Sequence, residues 1–277
     1  LAMSSAASDV YKRQDLSSPK IMGILNVTPD SFYDGGKFNT IKEILIHVEK
    51  MIDEGMDILD IGGYSSRPGA KKITVNEEVN RVIPVLKEIK YNFKELIISI
   101  DTFRSIVAER TLDLGADIIN DISAGNLDDN MLKIISDFKC PYIMMHMQGN
   151  PETMQKNPNY DNPSKEIISY LATRIKKAIE FNIHDIIIDP GFGFGKSLDH
   201  NFDILSNLEY FSMLDKPILV GFSRKSMIYK ALDISKNKSL NGTSVLNSIA
   251  LGKGAKILRV HDVKEAKECV ILHNKTK

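Results

Sequence analysis

The chain has 277 residues, 43% of them hydrophobic, and its 36 Lys and Arg are matched by 36 Asp and Glu, leaving no formal net charge. That balance removes the electrostatic basis for nucleic acid or an anionic membrane as a general partner, so any anion site must be local. No apolar run reaches the roughly 20 residues of a membrane helix, and Cys140 and Cys269 stand outside any Cys-x-x-Cys or His-rich cluster, which predicts reduced thiols, a cytoplasmic setting and no structural zinc.

Residues 1–14 lack the apolar core of a signal peptide and carry an acid that a transit peptide would avoid. Their wording is that of a translated sequencing adaptor or cloning scar, and they are expected to lie outside the fold. Eight short apolar runs follow, many rich in Ile and Val, at 21–27, 56–61, 96–100, 116–122, 141–147, 185–189, 217–222 and 255–260. Each has the length of a buried strand. Amphipathic segments separate them. Thr40 and Glu43 have capping-box spacing ahead of Ile41, Ile44, Leu45, Val48 and Ile52, and Thr74 with Glu77 repeats it ahead of Val79, Val82, Ile83 and Leu86. Asp128, Ser164 and Asp262 are predicted as further N-caps.

Uninterrupted alternation of strand and helix implies a parallel sheet covered by helices, and eight repeats in about 250 residues predict a single-domain (β/α)8 barrel. A doubly wound open sheet is the alternative. Helix-to-strand links are short, as at Glu54-Gly55 and Leu114-Gly115, while strand-to-helix links are long, as at 28–39, 62–76 and 148–163. The long links gather at the C-terminal face of the strands, where barrel active sites lie.

Residues at or just past the strand ends are Asn26, Ser65-Ser66-Arg67, Asp101, Asn120, His146, Asp189, Arg224 with Lys225, and Arg259 with His261. Taken singly, each is more readily a loop cap or a surface charge. A barrel places all of them around one rim, and that favours a site. Asp101, Asn120 and Asp189 suit a flat heterocycle with adjacent N–H groups. Arg67, Arg259 and His261 suit a polyanion such as pyrophosphate, with Asn26 as an oxygen ligand to a bridging magnesium ion. Lys225 suits either group. The stretch from Asp189 to Lys196, Asp-Pro-Gly-Phe-Gly-Phe-Gly-Lys, adds glycines for close backbone approach and two rings for stacking. It is neither a Walker phosphate loop, since Pro190 stands where its first glycine belongs, nor a dinucleotide fingerprint, since Lys196 replaces the third glycine.

Together and in this order, Asn26-Val27-Thr28-Pro29-Asp30-Ser31-Phe32, Asp60-Ile61-Gly62-Gly63, Ser66-Arg67-Pro68-Gly69, Ile100-Asp101-Thr102, Asn120-Asp121, the stretch 189–196, Ser223-Arg224-Lys225-Ser226 and Arg259-Val260-His261-Asp262 resemble the dihydropteroate synthase family over residues 20–275. The resemblance implies a barrel, commonly homodimeric, that joins 6-hydroxymethyl-7,8-dihydropterin diphosphate to p-aminobenzoate with release of pyrophosphate. It assigns the pterin to Asp101, Asn120, Asp189 and Lys225, and the diphosphate with Mg2+ to Asn26, Arg67, Arg259 and His261. It assigns the p-aminobenzoate pocket to Phe32, Ser66, Arg67, Pro68, Phe194 and Ser226. Asp101, Lys225, Arg259 and His261 form the expected catalytic set, and Arg259→Ala is expected to slow turnover while leaving the fold intact.

Three positions depart from the family pattern: Tyr64 where Glu is usual, Tyr33 where a small Ser is common, and Ser66 for Thr. No extra residues interrupt 66–69 or 194–196, so sulfonamide binding is expected by resemblance. A pterin-binding methyltransferase that serves a corrinoid protein and a non-catalytic pterin-binding paralogue share the implied barrel and pterin site. A metal-dependent hydrolase is disfavoured, because no His-x-His opens the barrel and His47, His184, His200 and His273 fall on predicted helices or their flanks.

Overall fold

Eight parallel strands close on themselves in sequential order in the computed structural model, which describes residues 16–28, 40–65 and 72–276. They are β1 (Lys20–Asn26), β2 (Ile58–Gly62), β3 (Ile97–Asp101), β4 (Ile118–Asp121), β5 (Tyr142–Met145), β6 (Ile186–Asp189), β7 (Ile218–Val220) and β8 (Ala255–Val260). The pairing of β8 with β1, Leu258 opposite Ile21 and Arg259 opposite Met22, completes the barrel and excludes the open sheet. Among the described residues the helices are α1 (Ile41–Asp53), α2 (Val75–Asn92), α3 (Ser105–Asp113), α4 (Met131–Phe138), α5 (Pro163–Glu180), α6 (Leu198–Ser206), α7 (Ser226–Ala231), α8 (Leu240–Gly252) and α9 (Val263–Lys275). None is long and apolar enough to cross a membrane.

Strand side chains alternate between two cores. Outward residues such as Leu25, Leu59, Ile61, Ile100 and Ile119 pack beneath the helices. Inward residues Met22, Ile58, Ile118, Ile143, Ile187, Leu219 and Ile257 fill the lower barrel as a separate apolar plug. Two residues further along the same inward faces the chemistry turns polar, at Asp60, Ser99, Asn120, Asp189 and Arg259. The register sets Asp60 opposite Ser99 and Asp101 opposite Asn120.

Thr40 caps α1 with the full capping box, Thr40 Oγ1 accepting from Glu43 N and Glu43 accepting from Thr40 N. Thr74 accepts from Glu77 N, whereas the Glu77 carboxylate pairs with Arg81. Of the three other expected caps, Asp128 and Ser164 are corrected and Asp262 holds its position. Asp128 lies two residues before the Asn130 cap position and accepts from Ser105 N and Asn130 N. Asn162 caps α5 with Pro163 at its first position, while Ser164 donates to Asp203. Asp262 occupies the cap position of α9 without capping, because its carboxylate is gripped by Arg224 through Nε and Nη2, both at 2.8 Å. A buried guanidinium outcompetes a backbone N–H for a carboxylate.

At the N-terminal face the short links carry staples. Asp57 accepts from Ile21 N and Asp117 from Ile98 N, both at 2.9 Å, tying the start of one strand to the approach of the next. A cavity of about 500 Å³ opens at this end beside Leu16, Ile97, Ile187 and Ile257, remote from the polar layer.

Candidate active site

The polar layer centres on Arg259. Its position on β8 sends the guanidinium inward, where Nε donates to Asp60 Oδ2 at 2.6 Å and Nη2 to Asp101 Oδ2 at 2.7 Å. Asp60 has no solvent exposure, and the same Oδ2 accepts from Asn120 Nδ2 at 3.1 Å. That bond commits the amide nitrogen of Asn120 and so fixes which way its side chain faces. Burial alone would lower the Arg259 pKa, but Asp60 and Asp101 together carry it above the ordinary value. Burial pushes Asp101 up to about 7, Arg259 opposing and Asp60 reinforcing the shift.

Opposite this cluster, Asp189 ends β6 and accepts from Gly191 N at 2.6 Å. Burial raises its pKa, against the pull of Lys225 and the Gly191 N–H. Lys225 precedes α7, and its Nζ donates to Phe192 O at 2.6 Å and lies 4.9 Å from the centroid of the Phe194 ring. Burial brings its pKa down to about 8, with Asp189 opposing. Two glycines keep the space between these groups open. A Cβ at Gly221 would lie 3.8 Å from Lys225 Nζ, and one at Gly62 would lie 3.5 Å from Asn26 Oδ1 and 3.8 Å from Asp101 Oδ2. Asn26 therefore flanks the carboxylate cluster from the end of β1.

His261 follows β8 and is held at Ser223, its Nδ1 2.9 Å from Ser223 Oγ. Ser226 opens α7 directly after Lys225. Phe194 packs beside Met145, Met147 and Met154. The structure thus brings Asn26, Asp101, Asn120, Asp189, Phe194, Lys225, Ser226, Arg259 and His261 to one end of the barrel. Phe32, Ser66, Arg67 and Pro68, like Tyr33, lie outside the described residues.

Magnesium takes oxygen ligands in octahedral geometry and retains water and substrate phosphates among them. Among the described residues no three His, Cys, Asp or Glu side chains converge as a metal site, and Asp101 Oδ2 is engaged by Arg259. The neutral oxygen of Asn26, beside Asp101, is of the ligand type that magnesium takes.

The model of the pterin binding enzyme family matches residues 22–261. The dihydropteroate synthase of Escherichia coli (strain K12) is 44% identical over 258 residues, covering 92% of this chain and 91% of that one. The chain belongs to this family. The Yersinia pestis dihydropteroate synthase in complex with a sulfonamide drug superposes with a TM-score of 0.91 at 38% identity, covering 95% of each chain. The Xanthomonas albilineans dihydropteroate synthase in complex with 7,8-dihydropteroate superposes with a TM-score of 0.84 at 34% identity, again over 95% of each.

Two members of the strand-end set stand apart from the open rim of this dihydropteroate synthase family barrel. His146 is buried against Lys196 and the edge of Tyr170, and burial followed by the nearby Lys196 charge drives its pKa to about 2. Arg224 serves Asp262 and Asn237 O, locking the chain after β7 to the chain after β8. Conversely, Asp60 is a site residue that the strand-end reading passed over. Its signal was a carboxylate inside Ile58-Leu59-Asp60-Ile61, two residues past an inward isoleucine. Tyr64, the departure from the family's Glu, packs edge-on against Phe103 at 5.2 Å and lies 5.0 Å beneath the Arg104 guanidinium, which also binds Glu78 and Ile73 O.

Proposed function

We propose that the chain condenses 6-hydroxymethyl-7,8-dihydropterin diphosphate with p-aminobenzoate, giving 7,8-dihydropteroate and pyrophosphate in folate biosynthesis. The observation that carries this reading is the alternation of charge around one cleft: Asp60, Arg259 and Asp101 in contact on one side, Asp189 and Lys225 on the other. Asp189 and Asp101 supply acceptors for the pterin N–H groups. Asn120, with its nitrogen held by Asp60, turns its carbonyl oxygen to the ring, and Lys225 donates to a ring acceptor.

The reaction is an ionisation-type displacement. As the bond from methylene to diphosphate breaks, negative charge grows on the leaving group and positive charge on the pterin. Arg259 and His261 stand where the former is stabilised and the carboxylates of Asp101 and Asp189 face the latter. Asn26 would hold magnesium, which neutralises the leaving diphosphate when bound. The amine of p-aminobenzoate needs orientation more than activation, and Phe194 and Ser226, with Phe32, Ser66, Arg67 and Pro68, frame its subsite. Sulfonamides compete for that subsite.

A homodimer in the cytoplasm completes the reading. The exposed Tyr210 and Met213 lie on the turn that Lys253 bridges to the end of α8, and Val245 and Ile249 on α8 are exposed as well, an apolar surface suited to a second copy. The test of function is pyrophosphate release from the pterin diphosphate, with and without p-aminobenzoate and magnesium. Release that depends on p-aminobenzoate is the expected result. Pterin binding without release would favour the non-catalytic paralogue.

A further inference from the structure

The loop between β6 and α6 holds three left-handed glycines, Gly191 at φ 73°, Gly193 at 82° and Gly195 at 61°. Each of its carbonyls from 191 to 195 is taken by a side-chain donor. Lys196 Nζ reaches Gly191 O at 2.8 Å and Phe194 O at 2.9 Å, Lys225 Nζ reaches Phe192 O, Gln155 reaches Gly193 O, and Tyr160 reaches Gly195 O at 2.9 Å. Lys196 alone serves two of them. Its Nζ also lies 3.0 Å from His146 Nδ1 and 3.3 Å from His146 O, at the exit of β5.

Lys196 is 4% and His146 6% exposed, and the contacts of the Lys196 amine are to loop carbonyls and to His146. Both nevertheless carry costs that an apolar pair would avoid. Burial holds the Lys196 pKa well below its ordinary value, although the nearby Asp189 charge opposes the shift. An ammonium has three protons, and the three shortest contacts, Gly191 O, Phe194 O and His146 Nδ1, consume them. With Lys196 as the ammonium, His146 Nδ1 is the acceptor and the ring proton sits on Nε2. The loop lies directly on β5, since a Cβ at Gly191 would stand 1.9 Å from His146 O. The amine therefore pins the outer end of the loop, at Phe194, to a rigid strand exit.

We propose that Lys196 and His146 are a positioning pair that holds Phe194 in place as a wall of the p-aminobenzoate subsite. This rests on the reaction proposed above and deepens it. Asp101, Asn120 and Asp189 lie on strands, whereas Lys225 touches the loop at Phe192 O and the Lys196 charge acts on Asp189, so His146 is the member of the pair whose loss bears least on the pterin subsite.

The test compares Lys196→Met, His146→Leu and His146→Asn, the last keeping an acceptor at the place of Nδ1. Lys196→Met and His146→Leu are expected to raise the KM for p-aminobenzoate at least tenfold, and in His146→Leu, which keeps the Lys196 charge beside Asp189, the Kd for the pterin is expected to stay within threefold. His146→Asn is expected to restore the KM to within threefold of wild type. Unchanged KM values, a proportional rise in pterin Kd in His146→Leu, or a His146→Asn variant as impaired as His146→Leu would overturn the proposal. Should Lys196→Met fail to fold, the two His146 variants carry the comparison. Should the wild type form no dihydropteroate, the reaction is refuted, and the tether is read instead from hydrogen exchange at the 191–195 amides. Faster exchange in His146→Leu than in His146→Asn is then expected, and equal exchange overturns it.

Discussion

Arg259 Nε lies 2.6 Å from Asp60 Oδ2, a carboxylate with no solvent exposure that also accepts from Asn120. One oxygen thus orients Asn120, the proposed pterin ligand, and Arg259, the proposed diphosphate ligand, together. Asp60→Asn keeps the shape and removes the charge that both donors need. Hydrogen bonds to charged groups contribute about 1.5–3 kcal/mol, so pterin affinity measured by calorimetry is expected to fall roughly ten- to hundredfold. A Kd within twofold of wild type would show that Asp60 only fills space.

Arg259→Ala removes a donor to developing charge, a loss of about 3–4 kcal/mol or roughly a hundred- to thousandfold in turnover. The sequence alone suggested an intact fold for this variant, but the structure leaves Asp60 and Asp101 buried without their shared cation. Breaking a buried pair costs about 3–5 kcal/mol, so the urea midpoint is expected to fall as well. Asp101 is already raised in the folded state, to about 7, so its contribution to stability is present below its unfolded value and lost as pH rises through 7. Loss of Arg259 raises it further. The stability gap from wild type is therefore expected to be wider at pH 8 than at pH 6, and a gap that narrows with pH would contradict the pairing.

Pterin binding has its own pH window. The grip needs Asp101 ionised, which requires pH above about 7, and Lys225 protonated, which requires pH below about 8. Affinity for the pterin is expected to rise toward 7 and decline beyond 8. Titration calorimetry between pH 6 and 9.5 checks this, and a flat profile would remove one of the two groups from the grip.

Gly191 and Gly193 share positive φ but not surroundings. A Cβ at Gly191 would meet His146 O at 1.9 Å, whereas one at Gly193 would meet only the flexible Lys225 side chain, at 3.3 Å. Gly193→Ala is expected to cost about 1–2 kcal/mol from its left-handed backbone. Gly191→Ala is expected to cost clearly more, as read from urea unfolding of the two variants side by side.

Much of the site was legible because inward strand faces have period two. Ile118 then Asn120, Ile187 then Asp189, and Ile257 then Arg259 each pass from apolar plug to polar rim within one step of the pleat. What the sequence concealed depends on closure and crossover. Asp60 becomes a site residue only when the closed barrel carries Arg259 above it from the far end of the chain. Lys196 and His146 are 50 positions apart, and no spacing links them until β5 and β6 pair. Asp262 has cap spacing, yet the Arg224 side chain, held against it by the β7 and β8 exits, decides its partner.

The interlocked side chains also dictate what a polyanion meets on arrival. Among the described residues the cleft and its underside hold three acids, Asp60, Asp101 and Asp189, and three bases, Lys196, Lys225 and Arg259. Each of these bases is already turned to an acid or a carbonyl. An incoming diphosphate finds partners to exchange rather than bare charge to neutralise. Its own countercharge travels with it as a cation or is drawn from solvent as protons, and the second route alone makes its binding heat a function of the buffer's ionisation enthalpy.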